Sequence, residues 1–194
     1  MRALLPQVCY FLVPLLGSAL AHGIVLKWNL VTFLARPIDA GHTFRGKRLF
    51  GPNKTFRGIV VPALGSMAVF LVQARFLHAM DGFRAAELFD YSQVSGILFG
   101  FAFGAFAMLA ELPNSFAKRQ VGIESGSAGK GLALPVFYVL DQIDLLVGIW
   151  LAVALFAGWV FSVEAVVISF ALVFVGHQLI TLIGYFLGMR KTIR

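Results

Sequence analysis

Residues 132–157 read LALPVFYVLDQIDLLVGIWLAVALFA, an apolar run of bilayer length broken only by Asp141-Gln142-Ile143-Asp144. A transmembrane helix needs about 20 mostly apolar residues. A carboxylate inside one costs roughly 2.5–3.5 kcal/mol on insertion scales unless it pairs or binds something. At i and i+3 the two acids share one helical face. The stretch therefore reads as a membrane helix that carries a site, with Asp141 about 13 Å along it at 1.5 Å per residue. Three readings of the acids are open: an ion pair with another helix, a proton or cation transport site, and a divalent-metal site. No span offers a mid-membrane cation as partner, which favours the metal. Hard oxygen donors suit Mg²⁺, which sits on one or two carboxylates plus substrate phosphates. The chain has no Cys/His cluster of the kind zinc uses.

The rest of the chain agrees with a bilayer. Of its 194 residues 59% are hydrophobic and only 13% charged, which excludes an ordinary soluble domain. Five spans are expected, at about 3–26, 58–79, 92–112, 132–157 and 163–188. They predict an all-α polytopic bundle, a single integral-membrane domain over 1–194. Pro6 and Pro14 predict a kink in the first span, and Pro135 a break in the fourth that opens a funnel to the acids. Cys9, the only cysteine, reads as an inert packing thiol. The formal charge of +7 fits loops facing anionic lipid and phosphate ligands, and no nucleic acid is expected.

Basic residues orient the bundle. Segment 27–57 holds Lys27, Arg36, Arg45, Lys47, Arg48, Lys54 and Arg57; segment 113–131 holds Lys118, Arg119 and Lys130; the tail holds Arg190, Lys191 and Arg194. These are 13 of the 16 Lys and Arg residues. The positive-inside rule puts them in the cytoplasm. Five spans then leave the N-terminus outside and the C-terminus inside an inner, cytoplasmic membrane. Ser18-Ala19-Leu20-Ala21 resembles a signal-peptidase site, but cleavage there would put the seven-cation segment outside.

The two longer cytoplasmic segments supply the polar chemistry. In 37–58, Asn53, Lys54, Thr55 and Arg57 lie among glycines, and Arg57-Gly58 opens a helix whose N-terminus favours phosphate. In the second, Glu111 ends a span and Pro113 predicts a stop or a kink. Asn114 and Ser115 suit the N-cap of a short helix bearing Lys118 and Arg119, and the glycine-rich loop beyond suits a lid. Gly96, Gly100 and Gly104 predict close packing against a helix of this chain or of a second copy, a homodimer. His177 reads as a satisfied core histidine.

Asn53-Lys54-Thr55-Phe56-Arg57-Gly58, Ser115-Phe116-Ala117-Lys118-Arg119 and Asp141-Gln142-Ile143-Asp144, in that order, resemble the CDP-archaeol synthase (CarS-like) family, relatives of the phosphatidate cytidylyltransferases. The resemblance implies a five-helix bundle with a cytoplasm-facing site. It implies the reaction of CTP with a lipid phosphate, with Mg²⁺, to give a CDP-lipid and pyrophosphate. Asp141, Asp144, Lys118 and Arg119 would be catalytic. Asp141, Asp144 and Glu111 would hold metal, and Asn53, Lys54, Thr55, Arg57, Asn114 and Ser115 would bind substrate. Ala110-Glu111 stands where the family has Gly-Asp. That departure, with a longer spacing from Pro135 to Asp141, points to a bacterial-type member acting on phosphatidate or a similar lipid phosphate. A cation- or proton-coupled transporter using Asp141 and Asp144 is the main rival, and a lipid-binding scaffold a second.

Overall fold

A computed structural model describes residues 4–127, 131 and 133–186. Arg2, Lys130, Gly188, Arg190, Lys191 and Arg194, which entered the charge count and the motifs, lie outside the described residues. The chain is a helical bundle with one elaborate loop, residues 28–56, between its first two long helices.

Helix α1 (Leu4–Lys27) runs without a break through Pro14. Proline has no N–H for the carbonyl four residues earlier. The Tyr10 carbonyl so released accepts a hydrogen bond from Gln73 Nε2 at 2.8 Å. Residues 28–56 form the loop, with a hairpin of β1 (Thr43–Phe44) and β2 (Lys47–Arg48). Arg45 and Gly46 turn it with φ of 52° and 77°, the doubly left-handed pattern that suits strand twist. Helix α2 (Arg57–Val72) continues as a π-helical turn, Gln73–Leu77, where Gln73 is buried. A short α3 (Asp81–Ala85) lies in the loop on the far side.

Helix α4 (Gly96–Leu109) starts later than the expected 92, because Ser95 Oγ caps the N–H of Leu98 at 3.3 Å. The break expected at Pro113 falls three residues earlier, at Ala110. Helix α5 (Glu111–Gln120) follows after one non-helical position, Ala110, whose backbone angles remain right-handed. Pro113 sits in the first turn of α5, where its missing N–H is unneeded. Its effect appears one turn earlier, as the break at Ala110. Asn114 and Ser115 are therefore inside a helix and cap nothing. Pro135 also falls in a first turn, that of α6 (Ala133–Phe156), and does not break the helix. Helix α7 (Val163–Phe186) ends the described chain.

Among the described residues four stretches are long and apolar enough to cross a membrane: Leu4–Lys27, Arg57–Leu77, Gly96–Gln120 and Ala133–Phe156. The fifth expected span corresponds to α7, a helix of 24 residues with one acidic residue, Glu164, in its first turn. The protein is an integral membrane protein.

Helix α2 packs between α1 and α4, and α6 packs on α4. Backbone contact sets these spacings. A Cβ on Gly100 would lie 2.8 Å from Met67 Cα, and one on Gly104 2.7 Å from Ala63 Cα. The glycine stripe is thus spent inside the chain, against α2. At the far end Phe11, Phe70, Phe99, Phe103 and Tyr91 form an aromatic core, with Phe70 and Phe99 centroids 4.6 Å apart. That end is tightly filled, and the opposite end holds the polar groups.

Candidate active site

Asn114 and Lys118 stand one turn apart on α5, and Asp141 and Asp144 nearly one turn apart on α6. The two faces meet in antiparallel order. Lys118 Nζ donates to both oxygens of Asp141, at 2.5 and 2.7 Å. Asn114 Nδ2 donates to Asp141 Oδ1 at 2.7 Å and to Asp144 Oδ2 at 2.9 Å. Asp144 Oδ1 accepts from the N–H of Leu145 at 2.7 Å. Asp141 thus has the cationic partner that the sequence reading denied it. The partner comes from the 115–119 motif, carried on a helix that lies beside α6. The stretch Gly96–Gln120 has 25 residues, about 37 Å of helix against a hydrocarbon core of about 30 Å. Lys118 stands near the polar end of this stretch, its side chain largely buried against α6.

A divalent ion fits this donor set. One small atom, Asn114 Nδ2, already touches both carboxylates, and the buried Asn114 Oδ1 has no hydrogen-bond partner. All the donors are hard oxygens. Glu111, expected with the two aspartates, instead makes an ion pair with Lys54. That pair ties the long loop to the start of α5.

A cavity of about 460 Å³ opens beside these groups. Asn53, Lys54, Thr55, Glu111 and Asp141 line its polar end, and apolar residues of α1, α2 and α7 line the rest. It forms between helices and not through a break at Pro135. Cys9 is exposed on its wall, not packed as the sequence reading had it. Thr55 Oγ1 also caps α2 by accepting from the N–H of Gly58 at 3.1 Å. His177 Nδ1 lies 2.9 Å from Gln142 Oε1, in keeping with a satisfied histidine.

Two predicted site residues lie apart from the carboxylates. Arg57 Nη1 donates to Asn29 Oδ1 and to the Leu30 carbonyl, both at 3.1 Å, and so braces the start of the loop. Arg119 lies over Gly51, where a Cβ would come 3.8 Å from its Cδ and 3.2 Å from Ser125 Oγ. Gly51 has φ of 102°, open only to glycine. The Nε and Nη1 groups of Arg119 are buried without a hydrogen-bond partner. Such a guanidinium is half of an anion site. Ser115 is buried within α5.

Asp39, which the sequence reading passed over, organises the loop. It is buried and accepts hydrogen bonds from Arg48 Nη2 and from the N–H groups of Gly41, Phe50 and Gly51. Its signal in sequence is an aspartate two residues before a glycine, the start of an Asx-turn.

The family model for CarS-like, CDP-archaeol synthase, matches residues 1–193. A CDP-archaeol synthase from Methanoculleus marisnigri is 29% identical over 160 residues, 80% of this chain and 87% of that protein. One from Halorubrum lacusprofundi is 31% identical over 160 residues, 80% of this chain and 82% of its own. A solved structure, described as an intramembrane enzyme for archaeal membrane lipids biosynthesis, has the same fold: TM-score 0.59, 23% identity, 86% of this chain and 89% of that one. These relatives do not bear out the expectation of a bacterial-type variant.

Proposed function

The chain belongs to the CarS-like, CDP-archaeol synthase family, and from that membership and the site geometry we propose a CTP-dependent cytidylyltransferase of membrane lipid phosphates. The observation that carries the proposal is the Asp141–Asn114–Asp144 cluster, paired to Lys118 at the polar end of a cavity walled by apolar helices.

In the reaction, an oxygen of the lipid phosphate bonds to the α-phosphorus of CTP. The bond from that phosphorus to the bridging oxygen breaks, and pyrophosphate leaves with the electron pair. Such chemistry needs positioning and charge neutralisation more than covalent help. Asp141 and Asp144, with the Asn114 amide oxygen, would hold a divalent ion, which we take to be Mg²⁺. When bound, it supplies neutralisation of the phosphate charge. Lys118 and Arg119 offer cationic donors to the triphosphate. Lys54 is exchangeable between Glu111 and a phosphate, and Asn53 lies beside it. Arg57 and Asp39 hold the loop that presents Lys54. Glu111 serves as the counter-charge of Lys54, a role that needs its longer reach.

Helix α7 would be the fifth crossing of a single membrane domain, leaving the N-terminus outside and the C-terminus in the cytoplasm. Because α2 covers the glycine stripe, a homodimer would use another face. The transport rival gains nothing from a carboxylate already neutralised by Lys118.

The test is incorporation of labelled CTP into lipid by the purified protein, with a panel of phosphatidate and archaeal-type ether lipid phosphate. We expect a CDP-lipid and pyrophosphate, loss of activity with chelator, and recovery with Mg²⁺. Asp144→Asn should lower turnover by about 10²–10³ or more while the protein stays folded and inserted. Wild-type turnover in both Asp141→Asn and Asp144→Asn would overturn the site.

A further inference from the structure

The cavity is asymmetric, and α1 accounts for the asymmetry. Cys9, Leu12, Leu16, Ala19 and His22 all line it. Their spacing of three or four residues puts them on one helical face. The stripe is apolar from Cys9 to Ala19 and ends on an imidazole. From Cys9 to His22 is 13 residues, about 20 Å of helix. At the His22 end stand Lys54 of the loop and Glu111 of α5, and Asp141 of α6 and His177 of α7 also line the cavity. Arg57 at the start of α2 acts on His22 through its charge, as do Lys54 and Glu111. Among the described residues no hydrogen bond occupies the His22 side chain. A surface that is oily for many ångströms and then meets an imidazole and an ammonium group matches one kind of molecule, a phosphate on a hydrocarbon chain.

We propose that His22 is a substrate-binding residue for the acceptor: with Lys54 it receives the lipid phosphate, while one hydrocarbon chain lies along Ala19, Leu16, Leu12 and Cys9. This rests on the reading of the chain as a cytidylyltransferase and deepens it by dividing the basic groups. Lys54 and His22 serve the acceptor on the α1 side. Lys118 and Arg119, on the α5 side, serve the nucleotide. Imidazolium donates to a phosphate oxygen and adds charge, and a neutral imidazole gives one hydrogen bond only. Acceptor affinity therefore falls as His22 loses its proton. The second ionisation of a phosphate monoester, near pH 6, is common to every variant and drops out of the comparison.

The experiment compares wild type, His22→Ala and His22→Asn over about pH 5–8 with CTP and a lipid phosphate that the wild type turns over. His22→Ala should raise KM for the lipid phosphate about tenfold or more, with KM for CTP within about twofold. His22→Asn, which keeps a donor, should recover part of the loss but not its pH dependence. An unchanged lipid KM, or equal rises in both KM values, overturns the assignment. A second readout needs no turnover. Cys9, the only thiol, stands at the far end of the stripe. Its alkylation by a membrane-permeant maleimide should be slowed by the lipid phosphate at lower concentration than by the same lipid without its phosphate, and not by CTP. His22→Ala should abolish that difference. Equal protection by both lipids in wild type refutes the placement. Failure of the wild type to make product from any lipid phosphate refutes the reaction itself, whereas product with unaltered lipid KM in His22→Ala refutes this inference alone.

Discussion

Replacing Asp39 by Asn removes one charge within the 28–56 loop and leaves the side-chain shape intact. Asp39 Oδ1 accepts from Arg48 Nη2 at 2.6 Å and from the N–H of Gly41 at 3.0 Å. Oδ2 accepts from the N–H groups of Phe50 at 3.2 Å and Gly51 at 2.9 Å. An amide has one acceptor oxygen, so one pair of donors must face an NH₂ group. Hydrogen bonds to a charged group are worth about 1.5–3 kcal/mol each, and breaking one partner of a buried ion pair costs about 3–5 kcal/mol. Since the loop can relax, the expected local cost is about 3–5 kcal/mol. At 1.4 kcal/mol per decade that is a rise of roughly 10²–10³ or more in loop opening. Amide hydrogen exchange checks it: peptides covering 37–54 should lose protection by that factor, while α4 keeps its own. A change below about threefold would refute the hub. The pH dependence has a definite sign. Burial alone would raise the Asp39 carboxyl, but the Arg48 guanidinium and the Gly51, Gly41 and Phe50 N–H groups outweigh it and hold the group well below the usual carboxylate range. A depressed native pKa means that the stabilisation is fully present above the unfolded value near ~3.9. It is lost only as pH falls through the native value. Loop protection should therefore be independent of Asp39 titration between pH 5 and 8.

Gly148→Ala should separate α6 from α4, because the new Cβ would lie 2.1 Å from the Phe106 carbonyl oxygen and 2.9 Å from Ala107 Cα. Overpacking against backbone costs about 1–3 kcal/mol or more, which thermal unfolding in detergent will show as a lowered Tm; Gly82→Ala, with nothing within 4 Å, is the neutral control, and equal Tm values for the two would contradict the packing. Lys54→Met and Glu111→Gln should show a coupling of roughly 1–2 kcal/mol in a double-mutant cycle, between the values for surface and buried pairs. Strict additivity would mean that the pair does not hold the loop to α5.

Much of this was legible from patterns that depend on local chemistry. Apolar length gave the membrane helices and the position of Arg57 at the start of α2. The motif order marked the residues that meet, Asn114 and Lys118 on one helix, Asp141 and Asp144 on another. Pro113 and Pro135 misled for one reason. Both fall in first turns, where an N–H is not missed, and the gap left by Pro14 is filled by Gln73, 59 residues on. Spacing along a chain does not reveal which turn a proline occupies or what distant amide covers a freed carbonyl. The partner of Asp141 was hidden because Lys118 looks cytoplasmic by sequence, and only the pairing of α5 with α6 brings the two level. Asp39 was hidden because a single acid in a basic, glycine-rich loop reads as solvated until its four donors converge.

The pairing of Lys54 with Glu111 and of Lys118 with Asp141 has a consequence for how anything charged gets in. At these two lysines an arriving phosphate undergoes an exchange of counter-ions and not a simple capture. A monovalent anion offers too little attraction to part either lysine from its carboxylate. A multivalent one, arriving with a cation for the vacated acids, exchanges both halves at once. Discrimination against chloride and for metal-chelated polyphosphate is thereby written into the resting state, before any contact with a nucleobase is made.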